Sequence, residues 1–473
     1  MRYSHQGWFR RQFGFLRCQF LQEGDLPFSR VLSEEAIAPA LEAIDAAWKD
    51  RVFTPLVTLW VFLGQVLSAD HSCRAAVARL IAHRLSRGLS ACSAKTGAYC
   101  QARKRLPERF FSAVACRVGR ALDAQGDAKW LWMGRRVYLF DGTTVSMPDT
   151  PENQQAYPQV YNQKPGLGFP IARVGAITSL ACGAILNLGF CRYAGKGQSE
   201  VSLLRRIWGV LSPGDVLLAD SLFSNWTDLV LLKQRGLELV SRLNTAHRRA
   251  DFRKGIRLGK DDHVVCWKKP STIRALDWAT YKSLPESVTV RETRIRVAQP
   301  GFRSKCFVIV TTLLDPQQFT KEDLASLYRA RWNNELDLRT IKITLQMDIL
   351  RCKTPELVRK EIWTHILAYN LIRTIMAQAA SRHDIAPRTI SFKGTLQTLE
   401  AFQPLIDFQG HRGRSFRATL YQQLLASIAL HRVADRPDRF EPRYRKRKAK
   451  QYAEMKLPRD QMKQAMLKGL IKI

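Results

Sequence analysis

The stretch LYRARWNNELDLRTIK, residues 327–342, decides how the rest of the chain is read. At about 100° per residue, Tyr328, Arg331, Glu335 and Lys342 fall within an arc of roughly 60°, so one helix face would carry a carboxylate flanked by two cations and a phenol. Leu327, Leu338, Ile341 and Leu345 fall within a neighbouring arc of roughly 60°, which gives the same helix an apolar seam of its own. Core packing therefore does not require the polar positions, and a face of that composition suits phosphate chemistry. Standing alone, a Glu between Arg and Lys at helical spacing is more often a solvated ion-pair ladder.

Two further acids change that reading. Asp141 ends the run Val137, Tyr138, Leu139, Phe140 and precedes Gly142, Thr143 and Thr144, the pattern of a short buried strand that delivers an acid into a loop. Asp220 repeats it at the end of Val216, Leu217, Leu218, Ala219, a run opened by the turn pair Pro213 and Gly214. Either Asp alone reads as a turn or cap residue, because Asp is common where strands stop.

On these residues the chain resembles bacterial insertion-sequence transposases of the insertion sequence four family, within the DDE superfamily, whose signature is the Tyr, Arg, Glu, Lys spacing quoted above. The resemblance takes in Asp141 to Thr144, Leu218 to Asp220, the signature helix, and the stretch from Thr354, Pro355 and Glu356 to Tyr369, Asn370 and Leu371. Where many members place an Arg directly after the second acid, this chain has Ser221, which removes a phosphate contact there but not the acid. The resemblance implies an α/β, RNase H-like mixed-sheet core in which Asp141, Asp220 and Glu335 converge on two divalent ions, Mg²⁺ or else Mn²⁺. Chemistry gives a separate reason for three acids. Hard oxygen ligands suit these ions, and two of them about 3.5–4 Å apart stabilise both the attacking and the leaving oxygen of an in-line phosphoryl displacement. Tyr328, Arg331 and Lys342 are then expected to hold phosphates of the transposon end.

The middle of the chain predicts such a core. Pro170 to Thr178 and Ala184 to Tyr193 read as a hairpin turning at Cys182 and Gly183; a helix from Glu200 to Leu211, the strand ending in Asp220, a helix from Trp226 to Gln234 and a strand from Leu237 to Leu243 follow. Between about residues 244 and 305, basic runs and alternation such as Val288, Val290, Ile295, Val297 predict a β-rich insertion. The family carries one there, implied to contact the DNA end and assist a hairpin intermediate. Trp267 and Trp278 in it, and Trp332 beside Arg331, could each stack on an unpaired base; core packing is the commoner role for Trp in a small domain.

The charge agrees with a nucleic-acid enzyme. Lys and Arg number 75 against 41 Asp and Glu, for a formal charge of +34. A polyanionic partner is the simplest explanation, since phosphate contacts from Lys and Arg release counterions and drive sequence-independent DNA affinity. A membrane surface is the main competing partner; against a membrane protein, the apolar run Leu56 to Leu67 is interrupted by Thr58, Gly64 and Gln65 and falls short of the roughly 20 residues a span needs. The first residues, with Arg10 and Arg11 near Phe13, lack the apolar core of a secretion signal, which points to the bacterial cytoplasm and nucleoid. Ten Cys occur with no C-x-x-C pair and no His at zinc spacing, so they read as reduced, semi-buried small hydrophobes.

Five regions follow from this pass: a helical N-terminal DNA-binding region (1–134), the first part of the core (135–243), the β-rich insertion (244–305), the second part of the core with the signature helix (306–380), and a helical C-terminal region with a basic tail (381–473). In the first, Thr54 and Pro55 open a helix, and helices over 74–85 and 95–106 resemble a helix-turn-helix. Gln101, Arg103 and Arg105 would lie on its second helix and read base edges, with a plain basic solvated face as the alternative. Thr354 is expected to cap a long helix from Pro355. In the tail, Arg445, Lys446 and Arg447 sit in a basic run, 443–450, expected to lie on DNA.

These features predict a metal-dependent DNA transposase that excises and inserts an element, working as a homodimer on double-stranded DNA with terminal inverted repeats and on target DNA. A non-catalytic DNA-binding relic or inhibitor, or a structure-selective nuclease on the same fold, are the alternatives. Sequencing the DNA around the gene discriminates: short inverted repeats bounded by direct duplications are expected, and their absence would favour the nuclease or the relic.

Overall fold

The computed structural model describes residues 20, 30–42, 44, 51–86, 88–271, 273, 276–296, 306–409, 413–433 and 456–470. Among these, five helices precede the first strand: α1 (Glu34–Glu42), α2 (Pro55–Val66), α3 (Cys73–Ser86), α4 (Gly97–Arg105) and α5 (Glu108–Ala124). Thr54 caps α2, its hydroxyl accepting the Val57 N–H at 3.3 Å, and Pro55 occupies the first turn, where its missing donor costs nothing.

The core then follows as β1 (Val137–Ser146), α6 (Pro151–Ala156), β2 (Ile171–Ser179), β3 (Ile185–Arg192), α7 (Glu200–Ile207), β4 (Val216–Ala219), α8 (Trp226–Gln234) and β5 (Glu238–Arg242). Next come β6 (Ile256–Gly259), β7 (Asp262–Lys268), α9 (Trp278–Ser283), β8 (Ser287–Arg296), β9 (Cys306–Thr311), α10 (Lys321–Ala330) and α11 (Trp332–Arg339). The last helices are α12 (Pro355–Arg382), α13 (Phe392–Gln409), α14 (Arg414–Leu430) and α15 (Arg459–Leu467).

Among the described residues, nine strands form one sheet in the order β3-β2-β1-β4-β5-β9-β8-β7-β6. β1 runs antiparallel to β2 and parallel to β4, and β4 runs parallel to β5. This is the mixed α/β, RNase H-like core that the sequence predicts. The β-rich stretch does not build a sheet of its own: β9 pairs with β5 on one side and β8 on the other, so β8, β7 and β6 prolong the catalytic sheet.

Alternation along β1 explains its two-sided burial. Val137 and Leu139 join Val216, Leu218, Val240, Ile309, Leu324 and Leu327 on the α10 side. Tyr138 and Phe140 join Leu203, Leu217 and the larger core on the other. Within that core, α12 is buried on every face from Ile362 to Ala380, as a helix threading the middle of a domain must be. Thr354 precedes α12 in extended conformation, yet its hydroxyl makes no capping hydrogen bond, contrary to the sequence expectation. Asn370 on this helix serves the edge strand: its Oδ1 accepts the Ile185 N–H at 2.8 Å, and its Nδ2 donates to Ile185 O at 2.9 Å and Ala115 O at 3.2 Å. Gly119 lets α5 approach the same place, where an added Cβ would stand 2.0 Å from Ile185 O.

The signature segment is not one regular helix. It tightens at Arg331, whose N–H bonds to Tyr328 O at 3.2 Å, and widens into a π turn over Thr340–Thr344, with Leu345 N–H bonded to Thr340 O at 3.1 Å. The wide turn lets Ile341, Leu345 and Met347 all remain buried beneath it. Asp337 anchors the segment. Its carboxylate, 1% exposed, accepts from Arg373 on α12 and from Arg388 at 2.5 Å, while Arg388 also donates to Leu180 O at 2.8 Å and Ser179 O at 2.6 Å. Replacing Asp337 with Ala strands two guanidinium groups in the interior, one of them fully enclosed. A loss of about 3–5 kcal/mol is expected, to be read from urea unfolding against the wild type.

Candidate active site

Parallel pairing of β1 with β4 brings the first two acids together. Leu139 stands opposite Leu218, so two residues further on Asp141 and Asp220 come to the same level on neighbouring strands; Asp220 directly follows the last residue of β4, whereas β1 does not stop at Asp141, as the sequence reading expects, but continues to Ser146 in unbroken pairing with β2. At Asp220 the backbone is pinned by the Ser241 hydroxyl, which donates to its carbonyl at 2.5 Å, and Oδ1 accepts the Leu222 N–H at 2.8 Å to cap the short turn Ser221–Phe223. Oδ1 of Asp141 accepts the Gly142 N–H at 2.8 Å.

The third acid comes from the signature segment, and one guanidinium links it to the first. Arg331 Nη2 lies 2.9 Å from Glu335 Oε1, and Nη1 lies 3.7 Å from Asp141 Oδ2. The i,i+4 pair expected from helical spacing is therefore present, but its Arg also faces a carboxylate from the sheet. Burial pushes the Asp141 carboxyl up to about 6; the Gly142 N–H and Arg331 pull it back, and the nearby Asp220 and Glu200 carboxylates push it further up. Among the described residues no three His, Cys, Asp or Glu side chains stand together closely enough to form a ready-made metal site.

Lys342 lies in the π turn and lines a cleft of about 380 Å³ with Asp141, Gly142, Thr143, Glu335 and Arg339. Arg339 was not singled out by spacing; the stripe at three, four and seven passes it by, and only the fold brings it to this wall. Tyr328 is half-buried, its ring 5.2 Å from Phe307 and 6.0 Å from the Arg331 guanidinium. Burial pushes its phenol up, against the pull of Arg331 and Arg242.

Glu200 is a fourth acid that sequence reading missed. Its side chain lies over Gly142, where an added Cβ would meet Glu200 Cδ at 2.6 Å, and Arg173 holds it at 2.7 Å. In the sequence it carries only the signal of a first-turn helical Glu after the cap Ser199.

The remaining sequence candidates divide. Trp332 and Trp278 are exposed, at 53% and 66%, whereas Trp267 is buried and donates to Glu292 at 2.8 Å. Gln101 and Arg105 are exposed on α4. Arg103 corrects the expectation: at 4% exposure it points into the protein and does not present itself to DNA. It falls on the face of α4 that packs against α2, where Tyr99 and Ala102 are also buried. Arg445, Lys446 and Arg447 lie outside the described residues.

Residues 132–371, more than half of the chain and bracketing all three acids, match the family described as the transposase DDE domain. The chain belongs to the DDE transposase family. Among curated proteins, this DDE transposase is 28% identical over 298 residues to transposase InsG for insertion sequence element IS4 of Escherichia coli (strain K12), covering 58% of this chain and 61% of that protein. It is 32% identical over 114 residues to the transposase for insertion sequence element IS421 of Escherichia coli, covering 22% of this chain and 30% of that one. It thus spans about three-fifths and three-tenths of these relatives' lengths. Among solved structures it aligns with a piggyBac transposase synaptic complex with hairpin DNA at a TM-score of 0.42 and 9% identity, over 88% of this chain and 85% of that one, too distant a likeness to bear on function. No helix among the described residues is long and apolar enough to cross a membrane.

Folded Asp141 keeps its proton to about pH 6, whereas the unfolded chain releases it near 3.8. Between these values the folded state binds more protons, so stability falls as pH rises through the window, by about 1.4 kcal/mol per unit and at most about 3 kcal/mol in all. Asp141→Asn, which cannot ionise, is expected to be more stable than wild type at pH 7 in the presence of a chelator and to lose that advantage at pH 4, as measured by chemical denaturation.

Proposed function

We propose that this DDE transposase moves an insertion sequence by cut and paste, through nicking at the element's ends, hairpin formation and strand transfer. The observation that carries the reading is the bridge that Arg331 makes between Glu335 on the signature segment and Asp141 on the sheet, with Asp220 on the neighbouring strand close enough to raise the Asp141 carboxyl. Asp141 lies within β1 and Asp220 just after β4, its parallel neighbour, and Arg331 ties Glu335 to Asp141.

The donor set fits hard divalent cations. All three acids offer carboxylate oxygens, and Asp141 is held partly protonated by burial and by its acidic neighbours, a condition that a cation relieves. Asp141, Asp220 and Glu335 would hold two Mg²⁺ ions, with Mn²⁺ as the alternative. Bound there, the ions supply activation of water or a 3′-hydroxyl and uptake of charge on the departing oxygen.

The chain's own cations do the positioning. Arg331 is suited to a two-pronged phosphate contact, and Lys342, with Arg339 beside it, brings point charge to the wall of the cleft. The Tyr328 phenol, kept protonated by burial, donates to a phosphate oxygen. Exposed Trp332 offers a stacking face for an unpaired base. Gln101 and Arg105 read the terminal inverted repeats, and the basic segment carrying Arg445, Lys446 and Arg447 adds phosphate contacts. Two ends must be held at once, so the working form is a homodimer that binds target DNA as well, in the bacterial cytoplasm. The name InsG attaches to an insertion-sequence transposase, which supports this reading.

With Mg²⁺ and duplex DNA carrying its own terminal repeats, purified protein is expected to nick the ends and join them to a target. Glu335→Gln should lower end cleavage by about a hundredfold or more while leaving DNA binding in a gel-shift assay unchanged. Equal cleavage by the variant would overturn the assignment.

A further inference from the structure

The guanidinium of Arg103 sits among sulfur atoms. Its Nη2 lies 3.1 Å from Cys73 Sγ and 3.6 Å from Cys100 Sγ, and its Nη1 lies 3.8 Å from Cys352 Sγ and 3.3 Å from Gln65 Oε1. Its flat faces meet the rings of Tyr99 at 4.6 Å and Phe62 at 4.9 Å. Among the described residues no carboxylate lies within ion-pairing distance of it. Glu361, which feels its charge, is engaged instead by the Arg351 and Cys352 N–H groups at 2.8 to 3.0 Å. An enclosed cation without a carboxylate partner favours any nearby group able to become negative. Here those groups are thiols.

Of the three, Cys73 is the best placed to react. It is the first residue of α3, where the helix dipole favours a thiolate, and it makes the shortest of the three sulfur contacts to Arg103. Gln65 Nε2 adds a donor at 3.8 Å. Burial pushes the Cys73 thiol up, and Arg103 pulls it back. Cys73 and Cys100 are both half-exposed, open to a small reagent, whereas Cys352 is buried. Their sulfurs are 4.0 Å apart, about 2 Å from bonding distance, which a change of side-chain rotamer can close.

We propose that Cys73 and Cys100 form a reversible thiol-modification site that takes a hydroperoxide and closes to a disulfide, locking the start of α3 to the middle of α4. Cys73 sulfur attacks one oxygen of hydrogen peroxide, the O–O bond breaks, water leaves, and Cys73 becomes a sulfenic acid. Cys100 sulfur then attacks that sulfur, an S–S bond forms, and the sulfenic hydroxyl departs as water with the Cys100 proton. Two thiols lose two electrons and two protons, and one peroxide becomes two waters. The site shares no residue with the three acids and does not depend on the proposed transposition chemistry.

The full chain, treated with one equivalent of hydrogen peroxide, alkylated and mapped by mass spectrometry, is expected to yield a Cys73–Cys100 cross-link that dithiothreitol reverses. The link should exceed oxidation at the exposed Cys266 and Cys306 by about tenfold, vanish in Cys73→Ser and in Cys100→Ser, and persist in Cys352→Ser. Should a serine variant fail to fold, dimedone trapping on the wild type decides, because it is expected to label Cys73 first. Oxidation of Cys266 or Cys306 ahead of the pair, or a link that survives Cys73→Ser, overturns the proposal.

Discussion

Asp337, closed between Arg373 and Arg388, is the interaction on which the rest of the molecule depends. A lone carboxylate at that depth would be untenable, and so would either guanidinium without it. Together they join four pieces of chain that have no local reason to meet: the signature segment, the long central helix, the short turn Pro387–Thr389 that carries Arg388, and the turn between β2 and β3, which Arg388 holds through the Ser179 and Leu180 carbonyls. Asp337 is two residues from Glu335, so fixing the one fixes the level of the other against the sheet. The tight step at Arg331 and the wide turn at Thr340–Thr344 then set where the cations on either side of Glu335 stand.

Electrostatics in the centre of the molecule run opposite to those of the whole. A chain of formal charge +34 places Asp220 and Glu200 near Asp141 and joins Glu335 to it through Arg331. Asp141 resists ionisation because burial and like charge both oppose it, and Arg331 is the counter-ion that touches two of the four. An excess of basic residues favours a polyanionic partner, while a local gathering of carboxylates favours cations.

Much of this was legible in the chain. The runs Val137 to Phe140 and Val216 to Ala219 announce buried strands, because apolar patterning is a local property; Asp220 does follow the end of its strand, but β1 runs on past Asp141 to Ser146 through pairing with β2 that its own residues do not announce. Leu327, Leu338, Ile341 and Leu345 are all buried as the apolar spacing predicts, though the break at Arg331 divides them, Leu327 joining the core on one side of the sheet and the other three the larger core. What stayed hidden depends on distant partners. A π turn follows from packing beneath it rather than from a repeat of 3.6. Arg103 reads as a surface cation until α2 is known to cover its face of the helix. Glu200 is an ordinary first-turn Glu until Gly142, some 60 residues earlier, leaves room for it. The β-rich stretch reads as a separate unit because register between β9 and β5 is invisible in either strand alone.

The bonds from Asn370 to Ile185 have a consequence beyond packing. A nine-stranded sheet has two open borders, and each is a template on which a foreign strand could add itself. On the β3 border a side chain from the central helix already occupies the Ile185 amide and carbonyl, and α5 crowds the same place through Gly119. The opposite border ends in β6, a mere four residues containing Arg257 and finishing in glycine, too short and too charged to nucleate a ribbon. Both borders of the sheet are thus closed to strand addition, so backbone-to-backbone self-assembly does not compete with association through side chains.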